Sequence, residues 1–198
     1  AKMYPTIKDN GDYTAMINQR HFDRVKGLIA DAKAKGAEVI EINPAGEDFT
    51  QQEHRKIPPT LIVGATDDMS VMQEEIFGPV LPIRTYTALE ETISEINARP
   101  RPLALYYFGE DSAESEALLA RTHSGGVTIN DVIFHFSMDD LPFGGVGPSG
   151  IGAYHGHRGF IEFSHEKAIY RQMSGELLAM LRPPYGETFK KQVAGRLK

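Results

Sequence analysis

A carboxylate and an aromatic ring stand two residues apart in segment 74–80, which reads E-E-I-F-G-P-V. Side chains alternate between the faces of an extended segment, so Glu75 and Phe77 should share one face while Ile76 points into the core. A carboxylate that accepts two hydrogen bonds, beside a ring that packs a sugar face, suits a ligand with a vicinal diol. Gly78 would permit a close backbone approach. The residues alone leave open a plainer interpretation, a strand entry with one solvated glutamate and one core phenylalanine.

A histidine lies among aromatic residues in segment 130–136, which reads N-D-V-I-F-H-F and follows a predicted strand. Such a segment could line a tunnel for a substrate. Equally, the aromatic residues could be core, and His135 could be a structural histidine whose ring is satisfied by a carbonyl. The pattern does not decide between these two interpretations.

Segment 141–152 reads L-P-F-G-G-V-G-P-S-G-I-G and contains a formal G-x-G-x-x-G at Gly145, Gly147 and Gly150. The dinucleotide-binding fingerprint needs a strand directly before it and a helix directly after it, so that phosphates meet the helix N-terminus. Two aspartates and Pro142 precede the glycines here, which is not a buried strand. We therefore interpret the match as accidental and predict a loop whose glycines let backbone approach backbone or ligand.

The chain of 198 residues has no cysteine, which excludes disulfides, thiolate metal sites and a cysteine nucleophile within it. The seven histidines form no H-E-x-x-H pattern, and no metal site is predicted. A net charge of −6 with scattered Lys and Arg argues against a nucleic-acid partner. Apolar runs fall short of the ~20 residues of a bilayer span, and no signal peptide or lipidation motif is recognised, so we expect no membrane partner and a cytoplasmic location.

Helices and strands must position these segments. Stretches with the apolar periodicity of a helix alternate along the chain with stretches typical of a strand. Helices are predicted over 18–35, 87–98 and 111–122, and strands over 37–42, 57–63, 78–86, 103–108 and 126–130. Alternation at βαβ spacing predicts an α/β fold with an open, mostly parallel sheet flanked by helices. Segment 131–160 is too long for a plain connector and is predicted to be a functional loop. Segment 167–172 could form one more strand, and a weak helix is expected within the tail 175–198.

Particular residues mark the boundaries of these elements. Gly36 is placed to end the first helix, and Thr87 is a plausible cap for the second. Asp111 or Ser112 is expected to cap the third helix. Two prolines in segment 78–86 confine it to a sheet edge or to an irregular strand.

Together these segments resemble the aldehyde dehydrogenase superfamily. Segment 74–80 is similar to its E-E-x-F-G-P motif, and segment 141–152 is similar to its P-F-G-G-x-x-x-S-G motif. Segment 153–167 is similar to the subgroup of class 3, fatty-aldehyde and coniferyl-aldehyde dehydrogenases. The tail sequence L-R-P-P-Y-G at 181–186 looks most like the coniferyl aldehyde dehydrogenases. The resemblance covers nearly the whole chain.

The resemblance implies binding roles for four residues and a catalytic role for none. Glu75 would bind the nicotinamide-ribose hydroxyls of NAD or NADP, and Phe77 would pack near the nicotinamide. Phe143 would line the aldehyde site, and His135 would line it in this subgroup. The family's nucleophilic cysteine, general-base glutamate, oxyanion-hole asparagine and dinucleotide-binding domain have no counterpart in the chain.

The resemblance also implies a division of the chain. Residues 1–165 would be the C-terminal portion of the catalytic domain, and 166–198 would be an oligomerisation strand and tail, with 166–173 lying against the partner in a homodimer. We therefore expect an excised or truncated piece of an NAD(P)-dependent aldehyde dehydrogenase, inactive by itself. The alternative is a naturally short, non-catalytic assembly module with the same fold.

Overall fold

The computed structural model describes residues 2–110, 112–172 and 182–197, and the chain divides into two compact units, Ala1–Ala98 and Arg99–Lys198. Each unit has its own sheet, of three strands in the first and of two in the second, as far as the described residues go. The strands are β1 Glu38–Glu41, β2 Thr60–Val63, β3 Val80–Ile83, β4 Ala104–Tyr107 and β5 Gly126–Ile129. The helices are α1 Gln19–Ala34, α2 Leu89–Ala98, α3 Ala113–Arg121, α4 Phe134–Ser137, α5 Gly156–Glu162 and α6 Glu187–Arg196. The predicted α/β class is confirmed, while the division at residue 165 stays a prediction.

Helix α1 packs on the sheet of the first unit. The Asn18 side chain caps it by accepting a hydrogen bond from the His21 N–H at 2.9 Å, which satisfies a free N–H of the first turn. Its buried face contributes Val25, Leu28 and Ala32 to the core. The apolar periodicity that predicted this helix therefore marks the face that it buries.

The three strands of the first unit pair in the order β1-β2-β3. Strands β2 and β3 are parallel, whereas β1 and β2 are antiparallel, so the predicted mostly parallel arrangement has one antiparallel pair here. Strand β3 lies at the sheet edge with Pro82 opposite Ile62, as its prolines predicted. Helix α2 follows it, and Thr87, the predicted cap, contacts the first turn of this helix. The Thr87 N–H and hydroxyl donate to the Glu91 carboxylate at 3.1 and 3.0 Å, and these bonds lower the pKa of Glu91.

The second unit contains a βαβ unit in which parallel strands β4 and β5 are joined by α3. Ser112 caps α3, and its side chain accepts a hydrogen bond from the Ser115 N–H at 3.4 Å. Asp111, the other predicted cap, lies outside the described residues. The predicted functional loop at 131–160 contains two short helices, α4 and α5.

The predicted strand at 167–172 is wrong for this structure, because these residues are exposed and irregular. A strand requires a neighbouring strand with which to exchange hydrogen bonds, and neither sheet of the described part of the chain includes 167–172. The end of the expected oligomerisation segment, Met173, lies outside the described residues, as does the tail from 174 to 181. Helix α6 confirms the predicted final helix. None of the helices in the described ranges is long and apolar enough to span a bilayer.

Candidate functional site

Segment 74–80 connects a 3-10 turn at Ser70–Met72 to strand β3 in the first unit. Ile76 packs against the hydrophobic core, as predicted. Phe77 has φ 46, which is left-handed backbone, so the simple extended alternation expected for this segment is wrong. The Phe77 ring is 76% exposed, so the interpretation of Phe77 as a core residue is also wrong.

Phe77 combines a strained backbone with an exposed apolar ring. The left-handed conformation costs a non-glycine residue about 1–2 kcal/mol. The exposed ring also forgoes most of the roughly 1.5–3 kcal/mol that burying a large apolar side chain contributes. Residues that carry such costs cluster at ligand-binding and active sites, where the surrounding structure holds them in place. The conformation of Phe77 therefore makes segment 74–80 a candidate ligand-binding surface.

Gly78 lies directly against helix α1. A Cβ atom built on Gly78 would lie 2.9 Å from Cγ2 of Val25, which is closer than real Cβ contacts come. Val25 is completely buried, so it has no room to move away. The close approach predicted for Gly78 is confirmed, and the neighbouring structure is helix α1.

Phe77 borders an apolar groove of about 620 Å³ in the first unit. Tyr13 also lines it, and the Tyr13 hydroxyl donates a hydrogen bond to the Ile57 carbonyl at 2.7 Å. Burial, and secondarily the nearby Tyr4, raises the pKa of Tyr13 to about 12, so the phenol stays neutral at physiological pH. The Glu75 side chain is exposed, and no donor in the described ranges is bonded to its carboxylate. Both carboxylate oxygens are therefore open to a ligand with hydroxyl groups.

His135 and Phe143 lie together in the second unit, where they line a cavity of about 370 Å³. Their ring centroids are 6.0 Å apart. Phe143 contacts further rings, those of Phe136 at 5.7 Å and Tyr154 at 5.8 Å between centroids. The complete lining consists of Leu103, Ala104, Tyr106, Ile133, His135, Phe136, Phe143 and Tyr154. The cavity is thus open to solvent, apolar and largely aromatic, with a single imidazole in its wall.

His135 is 8% exposed and is held by strand β5. Its Nδ1 lies 2.9 Å from Thr128 Oγ1, and its backbone N–H donates to the same oxygen at 3.2 Å. The partner is a hydroxyl, so the expected carbonyl partner is wrong. Nε2 is buried, and no partner for it lies within the described residues. His135 is therefore at once a structural residue and part of the cavity wall, which are the two roles that the sequence left open.

The glycine-rich segment folds as a closed loop between Phe143 and Tyr154. Each of these two residues donates its N–H to the carbonyl of the other, at 2.8 and 2.9 Å. Inside the loop, a Cβ atom on Gly145 would lie 2.2 Å from the Ser149 carbonyl oxygen. Isolated bridges, and no regular strand or helix, occupy 141–152. The interpretation of the G-x-G-x-x-G as accidental is confirmed, because its glycines allow backbone to contact backbone.

The sequence did not identify Tyr106 and Tyr154 as members of this cavity. Side chains alternate along the predicted strand at 103–108, so Ala104 and Tyr106 share one face, and both line the cavity. This alternation is the sequence signal from which Tyr106 could have been predicted. Tyr154 reaches the cavity through its bridge to Phe143, a contact across the glycine-rich loop that no local pattern encodes. Elsewhere in the described ranges, no group of three or more His, Asp or Glu residues is arranged to hold a metal ion.

Comparisons with known proteins define the class of this chain. The model of the aldehyde dehydrogenase family matches residues 2–169. The chain therefore belongs to the aldehyde dehydrogenase family, a family of oxidoreductases.

Particular relatives narrow this class. The chain is 62% identical over 200 residues to a probable coniferyl aldehyde dehydrogenase of Caulobacter vibrioides, covering all of this chain and 41% of that protein. It is 55% identical over 188 residues to the coniferyl aldehyde dehydrogenase of Pseudomonas sp. strain HR199, covering 94% of this chain and 39% of that protein. The chain thus spans about two fifths of the length of these relatives, and the predicted resemblance to the coniferyl subgroup is confirmed.

Solved structures support the same assignment. The aldehyde dehydrogenase AldH of Staphylococcus aureus, in a substrate-bound state, is similar with a TM-score of 0.71 and 39% identity. That match covers 93% of this chain and 39% of that one. The fold predicted from the resemblance is therefore confirmed as that of a part of an aldehyde dehydrogenase.

Proposed function

We propose that this chain is the cofactor-positioning and aldehyde-lining part of an NAD(P)-dependent aldehyde dehydrogenase that converts coniferyl-type aldehydes to carboxylic acids. The observation that carries the proposal is the conformation of Phe77, whose backbone is strained and whose exposed ring lies beside the accessible carboxylate of Glu75. These two groups fit the nicotinamide and the ribose diol of NAD or NADP. The identities to coniferyl aldehyde dehydrogenases support the choice of reaction.

Glu75 and Phe77 act in this proposal by holding and orienting the cofactor. The Glu75 carboxylate accepts hydrogen bonds from the two ribose hydroxyls, and the Phe77 ring restricts where the nicotinamide lies. When bound, NAD or NADP supplies a hydride acceptor for the aldehyde carbon. Correct placement of reacting groups contributes a large part of the rate in such reactions.

The aromatic cavity of the second unit would hold the substrate. Its volume of about 370 Å³ lies within the range of small-molecule sites, and its walls suit the ring of an aromatic aldehyde. Phe143 would pack on that ring, and His135 would contribute its imidazole to the otherwise mostly apolar wall. The names of the two coniferyl-aldehyde relatives support this substrate class.

The chain contains no cysteine, so residues outside these 198 must supply the thiol that the family reaction uses. By itself the chain should therefore be inactive. It should also bind NAD(P) very weakly, because two hydrogen bonds worth about 1 kcal/mol each cannot offset the lost freedom of a bound ligand. The expected location in the cytoplasm stays a prediction.

The test compares the isolated chain with the protein translated from the complete reading frame, called here the full-length product. We expect the full-length product to form NAD(P)H from coniferyl aldehyde at about 1 per second or faster. The isolated chain should form none under the same conditions. Turnover by the isolated chain, or an inactive full-length product that contains a cysteine and a dinucleotide-binding domain, would contradict the proposal.

Segment 166–172 supports a further part of this proposal, a homodimer. Ile169 and Tyr170 are 78% and 76% exposed, so two neighbouring apolar side chains are accessible to a partner subunit. Ile169→Asp combined with Tyr170→Asp should dissociate a dimer of the full-length product, because an unpaired charge is costly to bury. Light scattering after size exclusion measures this. Dimers unaffected by the double substitution would place the interface elsewhere.

A further inference from the structure

Arg24 of helix α1 makes three contacts with the segment that contains Glu75 and Phe77. Its Nη1 donates to the Glu75 carbonyl at 3.1 Å, and its Nη2 donates to the Ile76 carbonyl at 2.5 Å. Nη1 also lies 3.4 Å from a carboxylate oxygen of Glu74. One guanidinium therefore holds two consecutive peptide groups, although these lie 51 and 52 positions away from Arg24 in the sequence.

The two carbonyl contacts fix the local backbone. In an extended strand, successive carbonyls point in opposite directions, so one planar guanidinium cannot bond both of them. The Ile76 carbonyl belongs to the peptide whose nitrogen is that of Phe77. Holding this peptide plane limits rotation at Phe77, whose φ is 46. Arg24 thus stabilises the conformation that Phe77 would otherwise leave for a less strained one.

The next residue of α1 holds the other end of the segment. Val25 lies against Gly78 so closely that a Cβ atom there would overlap it. The Arg24 side chain is 28% exposed, so its carbonyl bonds are only partly open to competition from water. Two adjacent residues of one helix therefore hold the backbone on both sides of Phe77.

We propose that Arg24 is a positioning residue that holds Glu75 and Phe77 in the geometry that binds the dinucleotide. The inference rests on the proposed function of those two residues. Without Arg24, the peptide before Phe77 rotates, and the exposed ring and the neighbouring carboxylate lose their mutual placement. The binding of cofactor and the hydride step then weaken, while the aldehyde cavity of the second unit keeps its own contacts.

The experiment uses the full-length product with Arg24→Gln, Arg24→Lys and a control, Arg20→Gln, at an exposed residue of the same helix. Glutamine is neutral and lacks the several fixed donors of a guanidinium, so it cannot replace both carbonyl bonds. A lysine ammonium keeps the charge but can form a good hydrogen bond to only one of the two carbonyls. We expect Arg24→Gln to raise the Kd of NAD(P) and slow single-turnover hydride transfer, each by about ten- to a hundredfold. Arg24→Lys should fall between it and the wild type, and Arg20→Gln should match the wild type. The KM for the aldehyde should stay within about twofold in all variants, because the aldehyde contacts are unchanged.

The outcomes separate this inference from the proposed function. If Glu75→Gln slows hydride transfer and Arg24→Gln does not, the role of Arg24 is overturned while the cofactor site stands. If neither substitution affects cofactor binding or hydride transfer, the proposed cofactor site itself fails. If Arg24→Gln lowers the Tm strongly and raises the KM for aldehyde as much as the Kd for cofactor, Arg24 is only structural and the inference is overturned.

Discussion

The two candidate binding regions of this chain are built in opposite ways. Segment 74–80 has an exposed ring and an accessible carboxylate on strained backbone, and Arg24 of α1 donates hydrogen bonds to its carbonyls. The cavity around Phe143 is formed by side chains that pack on one another, with centroid separations of 5.7 to 6.0 Å to Phe136, Tyr154 and His135. The strained backbone that carries the exposed Phe77 ring therefore lowers the stability of the fold in the first region. In the second region, the residues that would contact a substrate raise it.

Under the proposed function, this difference has a mechanistic reason. A cofactor such as NAD(P) must enter, react and leave, and a carboxylate that remains solvated can exchange water for ribose hydroxyls at little cost. An aromatic aldehyde presents mainly apolar surface, which a preformed apolar cavity accepts. Substitutions in the two regions should consequently separate effects on stability from effects on function.

The largest stability difference is expected between two phenylalanines. Phe143→Ala removes a half-buried ring with several ring contacts, and it should lower the free energy of unfolding by about 2–3 kcal/mol, somewhat less than a fully buried ring costs. Phe77→Ala removes an exposed ring and should change it by less than about 0.5 kcal/mol. Urea unfolding of the full-length product measures both. Equal losses at the two positions would show that Phe77 is packed and that the two regions do not differ in how their rings contribute to stability.

Glu75→Gln should act on function with no loss of stability. It weakens the acceptor for two ribose hydroxyls, and we expect single-turnover hydride transfer to slow by about tenfold or more. The control is Glu38→Gln, an exposed carboxylate on β1 of the same unit, which should leave the rate unchanged. A normal hydride rate in Glu75→Gln would remove this carboxylate from the cofactor site.

Thr128→Val tests the internal bonding of the cavity. It removes the only hydroxyl contact of the His135 ring among the described residues, and it leaves a buried nitrogen without a partner. The expected loss is about 1–2 kcal/mol in the free energy of unfolding. Thr128→Ser keeps the hydroxyl and should retain most of that stability. If Ser and Val destabilise the protein equally, the methyl packing of Thr128 matters and the bond to His135 does not.

Local sequence patterns predicted the elements well and the site geometry less well. The 18–35 helix and the Ser112 cap were predictable because periodicity and capping are encoded within a few residues. The residue types of segment 74–80 left open both a binding element and a plain strand entry, and the extended geometry expected for it was wrong. The turn at Phe77 depends on Arg24, which is distant in sequence, and no local rule connects the two.

The aromatic cavity shows the same limit. His135 and Phe143 were both predicted as lining residues from the resemblance to the family, and the structure brings them together. Tyr154 was not predicted, because the paired hydrogen bonds that bring it beside Phe143 depend on how the intervening glycines fold. Residues that a site acquires through long-range backbone pairing carry no periodic signal in the sequence.

The smallest expected effect on stability comes from Phe77→Gly. This substitution tests most directly whether the backbone of the first region is strained. Glycine adopts φ near 46 without the steric cost of a Cβ atom, although it loses more backbone freedom on folding. Since the ring is exposed and contributes little packing, the free energy of unfolding should rise by up to about 1 kcal/mol or stay unchanged. The same variant should raise the Kd for NAD(P), because the ring that restricts the nicotinamide is gone. Urea unfolding and cofactor titration of the full-length product measure the two effects, and Phe77→Ala, which keeps the backbone strain and loses the ring, is the matched control.

A stability gain in the glycine variant and not in the alanine variant, with weaker cofactor binding in both, would locate the cost at the Phe77 backbone and the function in its ring. A glycine variant less stable than the alanine variant would mean that relief of strain at Phe77 is smaller than the backbone freedom that glycine loses, and the contrast in stability between the two regions would then fail.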